Sequence, residues 1–439
     1  MSRQHLVLSV FVQQYGTHAN AWRRAGIEAG GKPSFERWAD LVKLLERGKF
    51  DLAFFADFVG VDADSIRNSG RRPRGEGFEP LTLIGALTQV TSHIGLVGTV
   101  NTNTNIPYNL ARQLSSLDHL SGGRVGWNIV SSLQESAIKS FGIKDQLDHD
   151  ERYERASEFV ELTRSLWNSW DDDAFDHPDK ESGQFYNPAA GHAVHHHGKY
   201  FDADTLLDIA RPLQGQPVFF QAGNSERGRE FAAQYAELIY AAAQTIEEAQ
   251  EFYSDVKGRL AKYNRDPDHL IVSPGLFYHI GRSRAEAQEK LESFQNSVDV
   301  SHIKEAFGVD LTKHSIDLPL PDNLAVPANG QGRWHQAVEL GRRENLTIRQ
   351  LLVRFSAVNG HRTVIGTPAD IADQLEDWFR NGAADGFNLK PSLLPSDLED
   401  FINLVVPELQ KRGIFRKEYT GKILREHLAL PRPANPNTR

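Results

Sequence analysis

The sequence predicts an α/β fold, a (β/α)8 TIM barrel with long insertions, on three observations. Eight short apolar runs stand at 5–12, 50–56, 94–100, 124–130, 217–221, 237–241, 270–279 and 385–390. Stretches of helical period lie between them, and polar residues gather where the runs end. Repeated strand–helix alternation favours a parallel sheet with helices outside it. Eight such strands point to a closed barrel rather than an open doubly wound sheet.

The elements follow in order. Leu6-Val7-Leu8-Ser9-Val10-Phe11-Val12 is the first strand run, and Gln13-Gln14 ends it. Phe35, Trp38, Leu41, Val42 and Leu45 keep the i, i+3, i+4 spacing of a buried helix face. Ala156, Phe159, Val160, Thr163, Leu166 and Trp170 do the same later. Thr367-Pro368-Ala369-Asp370 places a capping hydroxyl before a proline at the first helical position, with a carboxylate two residues on. Ser396-Asp397-Leu398-Glu399 reads as a capping box ahead of Phe401, Ile402, Val405 and Leu409. The chain is expected to form one unit over 1–439, with insertions at about 171–216 and 295–365. The second insertion has a Pro/Gly/Asn-rich centre and is a candidate lid. No internal repeat and no linker between independent domains is evident.

Composition narrows the function. The 49 Lys+Arg against 58 Asp+Glu give a formal charge of −9. That argues against a nucleic-acid or anionic-membrane partner. Cysteine is absent, which excludes disulfides, thiolate metal sites and a thiol nucleophile. No apolar run approaches the about 20 residues of a spanning helix. The first run is too short for a signal segment, so the expected location is cytoplasmic. No G-x-G-x-x-G follows a strand and no G-x-x-x-x-G-K-[ST] occurs, so the chain shows no dinucleotide or nucleoside-triphosphate module.

Chemistry in such a barrel sits at the C-terminal ends of the strands. There the sequence places His18 with Gly16-Thr17, Asp57 after Phe54-Phe55-Ala56, Thr99, Asn128 after Trp127, and Asn224-Ser225 opening a helix. Each has a plainer reading. Ser225 is an ordinary N-cap serine as readily as a phosphate ligand on helix N–H groups. Asp57 serves equally as a turn former, Thr99 as a strand threonine and His18 as a satisfied histidine. Asn128, if buried, needs partners for both its oxygen and its nitrogen. His195-His196-His197 resembles a metal-ligating run but lies in the irregular 171–216 stretch without an accompanying ligand motif. No metal site is expected. Arg71-Arg72-Pro73-Arg74 could steer an anionic substrate, though a solvated loop is the plainer reading.

Together these stretches resemble one family, the bacterial-luciferase-like flavin-dependent monooxygenases. The branch is that of nitrilotriacetate monooxygenase component A and dibenzothiophene-sulfone monooxygenase. The matching segments run in order from Phe54-Phe55-Ala56-Asp57 and Gly98-Thr99 through Ser116-Leu117-Asp118-His119-Leu120-Ser121-Gly122-Gly123-Arg124. They continue with Gly126-Trp127-Asn128-Ile129-Val130-Ser131-Ser132, Arg152-Tyr153-Glu154-Arg155-Ala156 and Gln221-Ala222-Gly223-Asn224-Ser225. They end with Gly366-Thr367-Pro368, Ala384-Asp385-Gly386-Phe387-Asn388 and Val406-Pro407-Glu408-Leu409-Gln410-Lys411-Arg412-Gly413.

The resemblance implies an FMNH2-dependent oxygenase component. It would insert one oxygen atom from O2 into a small organic substrate through a flavin C4a-(hydro)peroxide, with C–N or C–S bond cleavage among the outcomes. Reduced FMN would come from a separate NAD(P)H-dependent flavin reductase, and the protein would assemble as a homodimer or homotetramer. Carried onto matching positions, the family's flavin contacts fall on Asp57, Thr99, Asn128, His149, Tyr153 and Ser225. Tyr153 and Ser225 then lie at the phosphate, with Asp57, Thr99 and Asn128 toward the ring. The cofactor would carry the oxygen chemistry, in a dry site to which Phe54, Phe55 and Trp127 are expected to contribute. His18 is the candidate catalytic residue, as hydrogen-bond donor or acid/base near neutral pH. Three other readings are a metal-dependent barrel hydrolase resting on His195 and His197, a sister-branch enzyme of the same barrel that uses a deazaflavin, and a non-catalytic flavin-binding protein of the same fold.

Overall fold

A computed structural model of the chain describes residues 4–61, 73, 75–131, 135–144, 147–297, 309, 311, 314–324, 326, 331–356 and 361–438. Its strands are β1 (Val7–Phe11), β2 (Leu52–Phe55), β3 (Gly95–Asn101), β4 (Val125–Val130), β5 (Val194–His197), β6 (Asp202–Thr205), β7 (Val218–Gln221), β8 (Leu238–Ala241), β9 (Ile271–Ile280), β10 (Arg362–Gly366) and β11 (Gly386–Leu389). Eight of these, the predicted eight, close into a parallel barrel in the order β1-β2-β3-β4-β7-β8-β9-β11, with β11 returning to β1. Helices cover the outside, which is why these runs are apolar on both faces.

Side-chain alternation sorts the runs into two cores. Val7, Phe11, Leu52, Phe54, Val97, Phe220, Leu238 and Tyr240 point inward and form one cluster. Leu424, Leu428 and Leu430 join it, so the segment near the C-terminus plugs the barrel floor. Gly126 also faces inward, where a Cβ would lie 2.5 Å from the Phe220 ring. Val10, Phe55, Leu96, Trp127 and Phe219 point outward, against the helices.

At the N-terminal end of the barrel a carboxylate device recurs three times. Asp51, Glu237 and Asp385 each stand immediately before a strand, and each accepts a backbone N–H from the neighbouring strand. Asp51 takes Leu8 N–H at 2.8 Å, Glu237 takes Phe219 N–H at 3.0 Å and Asp385 takes Val272 N–H at 2.9 Å. A cation neutralises each: Arg416 at Asp51, Arg425 at Glu237 (2.6 and 2.9 Å) and Lys257 at Asp385 (2.9 Å). A buried charge persists where it is paired and hydrogen-bonded.

Several local expectations change. β10 lies in the predicted 295–365 insertion and pairs with the second half of β9, beyond Pro274. The 171–216 stretch holds the antiparallel hairpin β5–β6, so His195-His196-His197 is strand rather than irregular chain. Trp170 lies past the end of the helix His149–Trp167, where it bridges to Gly191. The box expected at Ser396 is absent. Pro395 is the cap residue of the helix Ser396–Asp400, and Asp397 instead reaches back to Leu393 N–H at 2.8 Å. That helix widens into a π turn over Phe401–Val405 next to Pro407, which has no N–H to continue the regular ladder. The Thr367 cap is as predicted, a reciprocal box with Asp370. Within the second insertion, Leu311, Trp334, Ala337, Leu340, Ile348, Leu351 and Leu352 form a cluster separate from the barrel cores.

Arg425 is fully buried, so replacing it strands the Glu237 carboxylate. Arg425→Met is expected to cost about 3–5 kcal/mol of stability, read from urea unfolding followed by tryptophan fluorescence. An unchanged midpoint would show that the floor does not depend on this pair.

Candidate functional site

The predicted residues fall along one continuous arc of the barrel mouth. Asp57 follows β2, Thr99 is on β3 and Asn128 on β4, and Thr99 and Asn128 sit opposite each other in the parallel register. Both are buried, and Asn128 Nδ2 donates to Thr99 Oγ1 at 2.9 Å. Asn128 Oδ1 is buried with no hydrogen-bond partner among the described residues. An amide held by one end and orphaned at the other suits a polar ligand edge. Asp57 is half-buried, and its carboxyl is pushed up to about 6, first by desolvation and then by the Glu79 carboxylate. Glu79 is fixed there as the cap of the helix Pro80–Leu87, accepting Leu81 N–H and Thr82 N–H.

The second group lies beside β7, the next strand of the arc. Ser225 caps the helix Glu226–Tyr235, accepting Gly228 N–H at 3.1 Å, and is itself exposed. Tyr153 and His149 come from the first turns of the helix His149–Trp167, with ring centroids 5.2 Å apart. The loop between β7 and Ser225 packs under Tyr153. A Cβ at Gly223 would lie 2.9 Å from the tyrosine hydroxyl and 2.3 Å from Gln221 Nε2. Arg227 and Asp150 tie the two helix starts together at 3.4 Å. Asn224 Oδ1 is buried and unpartnered among the described residues. The result is a polar cradle at the N-terminus of a ten-residue helix, the arrangement that binds phosphate groups.

These features fit the FMN that the resemblance implies. The cradle suits the phosphate, the orphaned amides of Asn128 and Asn224 supply unused acceptors, and the Thr99–Asn128 pair faces the interior where a ring would lie.

His18 stands apart from this arc. It is buried on the β9–β11–β1 side, 5.0 Å from the Phe294 ring, and His279 at the end of β9 lies 5.3 Å from the same ring. Both imidazoles are pushed down to about 4, mainly by burial. Arg24 adds to this at both, and His18 and Lys290 add to it at His279. His18 is therefore neutral at pH 7, which removes the expected acid/base titration near neutrality and leaves hydrogen bonding. Its Nδ1 accepts Asn20 N–H at 3.2 Å, so the proton of the neutral ring sits on Nε2. His279 is not distinguishable in the sequence, because it lies within a continuous apolar run.

The aromatic lining differs from expectation. Phe55 and Trp127 face the outer helices, and Trp127 Nε1 donates to Val100 O. Phe54 does face inward, packed at a tilt between Phe11 (5.4 Å) and Tyr240 (4.6 Å) as the floor of the mouth. The histidine run has local partners: His195 with Asp204 (2.8 Å), His197 with Asp202 (3.2 Å) and, on the other face, His196 with Glu158 (3.2 Å). Among the described residues no group of three His, Asp or Glu is placed to hold a metal. Arg71, Arg72 and Arg74 lie outside the described residues. A cavity of about 710 Å3 is bordered by Tyr15, Arg37, Lys43 and Pro395. Among the described residues no helix is long and apolar enough to cross a membrane.

Because the His18 and His279 imidazoles stay neutral in the fold, the unfolded chain takes up protons that the folded one does not between pH 6.5 and 4. Stability is expected to fall as pH drops through that window. In proton NMR spectra the two imidazoles should not titrate between pH 8 and 5, and a midpoint near 6.5 for either would contradict their burial.

Comparison with known proteins agrees with this architecture. The family described as luciferase-like monooxygenase matches residues 6–385. N-acetyl-S-(2-succino)cysteine monooxygenase of Bacillus subtilis (strain 168) is 40% identical, covering 99% of this chain and 98% of its own. Nitrilotriacetate monooxygenase component A of Aminobacter aminovorans is 41% identical, with the same coverages of 99% and 98%. The solved structure of EDTA monooxygenase from Chelativorans sp. BNC1 superposes with a TM-score of 0.81 at 31% identity, covering 98% of this chain and 99% of that one. A match of this extent, on a closed eight-stranded barrel with its polar residues at the strand ends, makes the chain an enzyme that belongs to the luciferase-like monooxygenases.

Proposed function

We propose that this chain is the oxygenase component of a two-component system. It would take reduced FMN from a separate NAD(P)H-dependent flavin reductase and insert one atom of O2 into a small organic substrate, cleaving a C–N or C–S bond. The observation that carries this reading is the arc from Asp57 through Thr99 and Asn128 to Tyr153 and Ser225, polar at its rim and aromatic at its floor. The name component A of one relative supports a separate partner. The compounds named by the relatives support amines and thioethers as substrates. The lack of a dinucleotide-binding motif in the chain accords with reduction occurring elsewhere.

The residues divide the work. Ser225, the helix N–H groups behind it, Tyr153 and His149 hold the phosphate end. Thr99 and Asn128 hydrogen-bond the ring edge, and Asp57, ionised above pH 6, accepts hydrogen bonds beside it. Reduced FMN, when bound, supplies the chemistry that activates O2. Phe11, Phe54 and Tyr240 keep water from the reacting face. His18, neutral with its proton on Nε2, donates a hydrogen bond into the site.

Fluorescence titration with FMN and, anaerobically, with reduced FMN tests the reading. The expected result is preferential binding of the reduced form, weakened about 5- to 30-fold in Tyr153→Phe and Ser225→Ala. Ser225→Ala also removes a helix cap, at a cost of about 1 kcal/mol of stability, and Tyr153→Phe controls for that loss. Folded protein with no preference for the reduced flavin would refute the proposal.

A further inference from the structure

The polar cradle beside β7 is built on the turn Gly223-Asn224-Ser225, and each residue of that turn is tied by a different group. Gly223 N–H donates to Gln221 Oε1 at 2.8 Å, at the end of β7. Ser225 Oγ accepts Gly228 N–H at 3.1 Å. Asn224 is tied through its carbonyl oxygen, which accepts Arg229 Nε at 3.1 Å. The first two ties stay within the strand and helix that flank the turn. The third reaches further.

Arg229 Nη1 also donates to Asp255 Oδ2 at 2.8 Å, on the next helix, Ile246–Arg259. Its guanidinium carbon lies 5.1 Å from the centroid of the Phe252 ring on that helix. Asp255 is held in turn by Arg259 Nε at 2.9 Å, and Arg259 forks onto Glu226 at 2.6 and 2.9 Å. Glu226 is the first residue of the cradle helix. Arg229 thus joins the cradle turn to a closed circuit between two helices. A planar guanidinium reaches the carbonyl and the carboxylate together, whereas an ammonium is a single point of contact. Asp255 neutralises the charge, so Arg229 gives the cradle direction rather than field.

That direction falls on one peptide group. A Cβ at Gly228 would lie 2.9 Å from the carbonyl carbon and oxygen of Gly223, so the helix start lies directly against the turn. The Asn224–Ser225 peptide is trans, and its N–H points opposite to its carbonyl. The carbonyl is drawn toward Arg229, so Ser225 N–H is turned away from the helix Ile246–Arg259. The cradle helix packs between that helix and His149–Trp167, which carries His149 and Tyr153. Among the described residues the N–H groups of Ser225, Glu226 and Arg227 have no acceptor. They are the free donors of a helix start.

We infer that Arg229 is a positioning residue of the phosphate cradle: by holding the Asn224 carbonyl it aims the Ser225 N–H at the phosphate of FMN. This rests on the flavin reading above and adds to it a residue outside the expected contacts. A donor fixed in advance binds an anion without first being ordered.

Reduced FMN and reduced riboflavin differ only in the phosphate, and anaerobic fluorescence titration with each tests the inference. The unmodified protein should bind reduced FMN at least about tenfold more tightly than reduced riboflavin. In Arg229→Met the ratio should fall about fivefold, with riboflavin affinity unchanged. The fall should be the same at low and high salt, because a lost orientation, unlike a lost charge, is not screened. Arg229→Lys keeps the charge and the pairing with Asp255. Its thermal midpoint should stay near that of the unmodified protein while its ratio stays low, and it carries the test if Arg229→Met does not fold. A ratio unchanged in both variants, or restored in Arg229→Lys, overturns the inference. So does an equal loss of affinity for both flavins, or equal binding of the two by the unmodified protein. The unmodified protein also separates the two readings. A preference for reduced FMN that survives in the variants removes the role of Arg229 alone, and absent binding of reduced flavin removes the oxygenase reading.

Discussion

The barrel depends on how its strands are held at the end away from the chemistry. Asp51, Glu237 and Asp385 each bind the N–H of a neighbouring strand and are each neutralised by a cation from elsewhere in the chain. A backbone N–H at the start of a strand has no ladder partner, and leaving it dry costs about 1–3 kcal/mol. The carboxylate meets that need and fixes the register of two strands together. A one-residue slip would turn Phe54 out of the barrel. The inward-facing residues at the mouth therefore stand where these distant clasps set them.

At the mouth the chain separates two environments. The β2–β3–β4–β7 arc carries neutral donors and acceptors, one carboxylate of raised pKa and a helix N-terminus. The β9–β11–β1 side carries two imidazoles held neutral by burial. Burial lowers a histidine and raises an aspartate for the same reason, the cost of a charge in a poorly solvated place. Both shifts thus have one physical cause, the burial of each group.

The eight barrel strands were legible in the sequence because parallel strands buried on both faces become unbroken apolar runs. That same continuity hid which face each residue takes. Phe54 and Phe55 are adjacent and alike, yet one floors the mouth and the other packs on helices. β10 and the β5–β6 hairpin were missed because they are short and half-exposed, so they read as loop. Ser396 had the spacing of a cap, but the neighbouring Asp397 found the Leu393 N–H instead. Asp57, Thr99, Asn128 and Ser225 were legible as polar residues closing strands. His149 and Tyr153, on a helix from another part of the chain, came only from the family resemblance. His279 gains its significance from three-dimensional placement alone.

The way the barrel closes sets an order for its assembly. β1 lies between β2 and β11, Leu6 N–H donates to Ile414 O, and Leu424 to Leu430 fill the floor. The first strand of the barrel therefore cannot find one of its two neighbours until residues 386–389 have left the ribosome, nor the interior its plug until Leu430 has followed. Contacts of such sequence separation make folding slow and leave apolar edges exposed meanwhile. A nascent chain halted before residue 386 would expose two unpaired edges, at β1 and β9, and a hollow core. The barrel of this enzyme can thus close only once residues up to Leu430 are available, and its strand edges stand open in the interval.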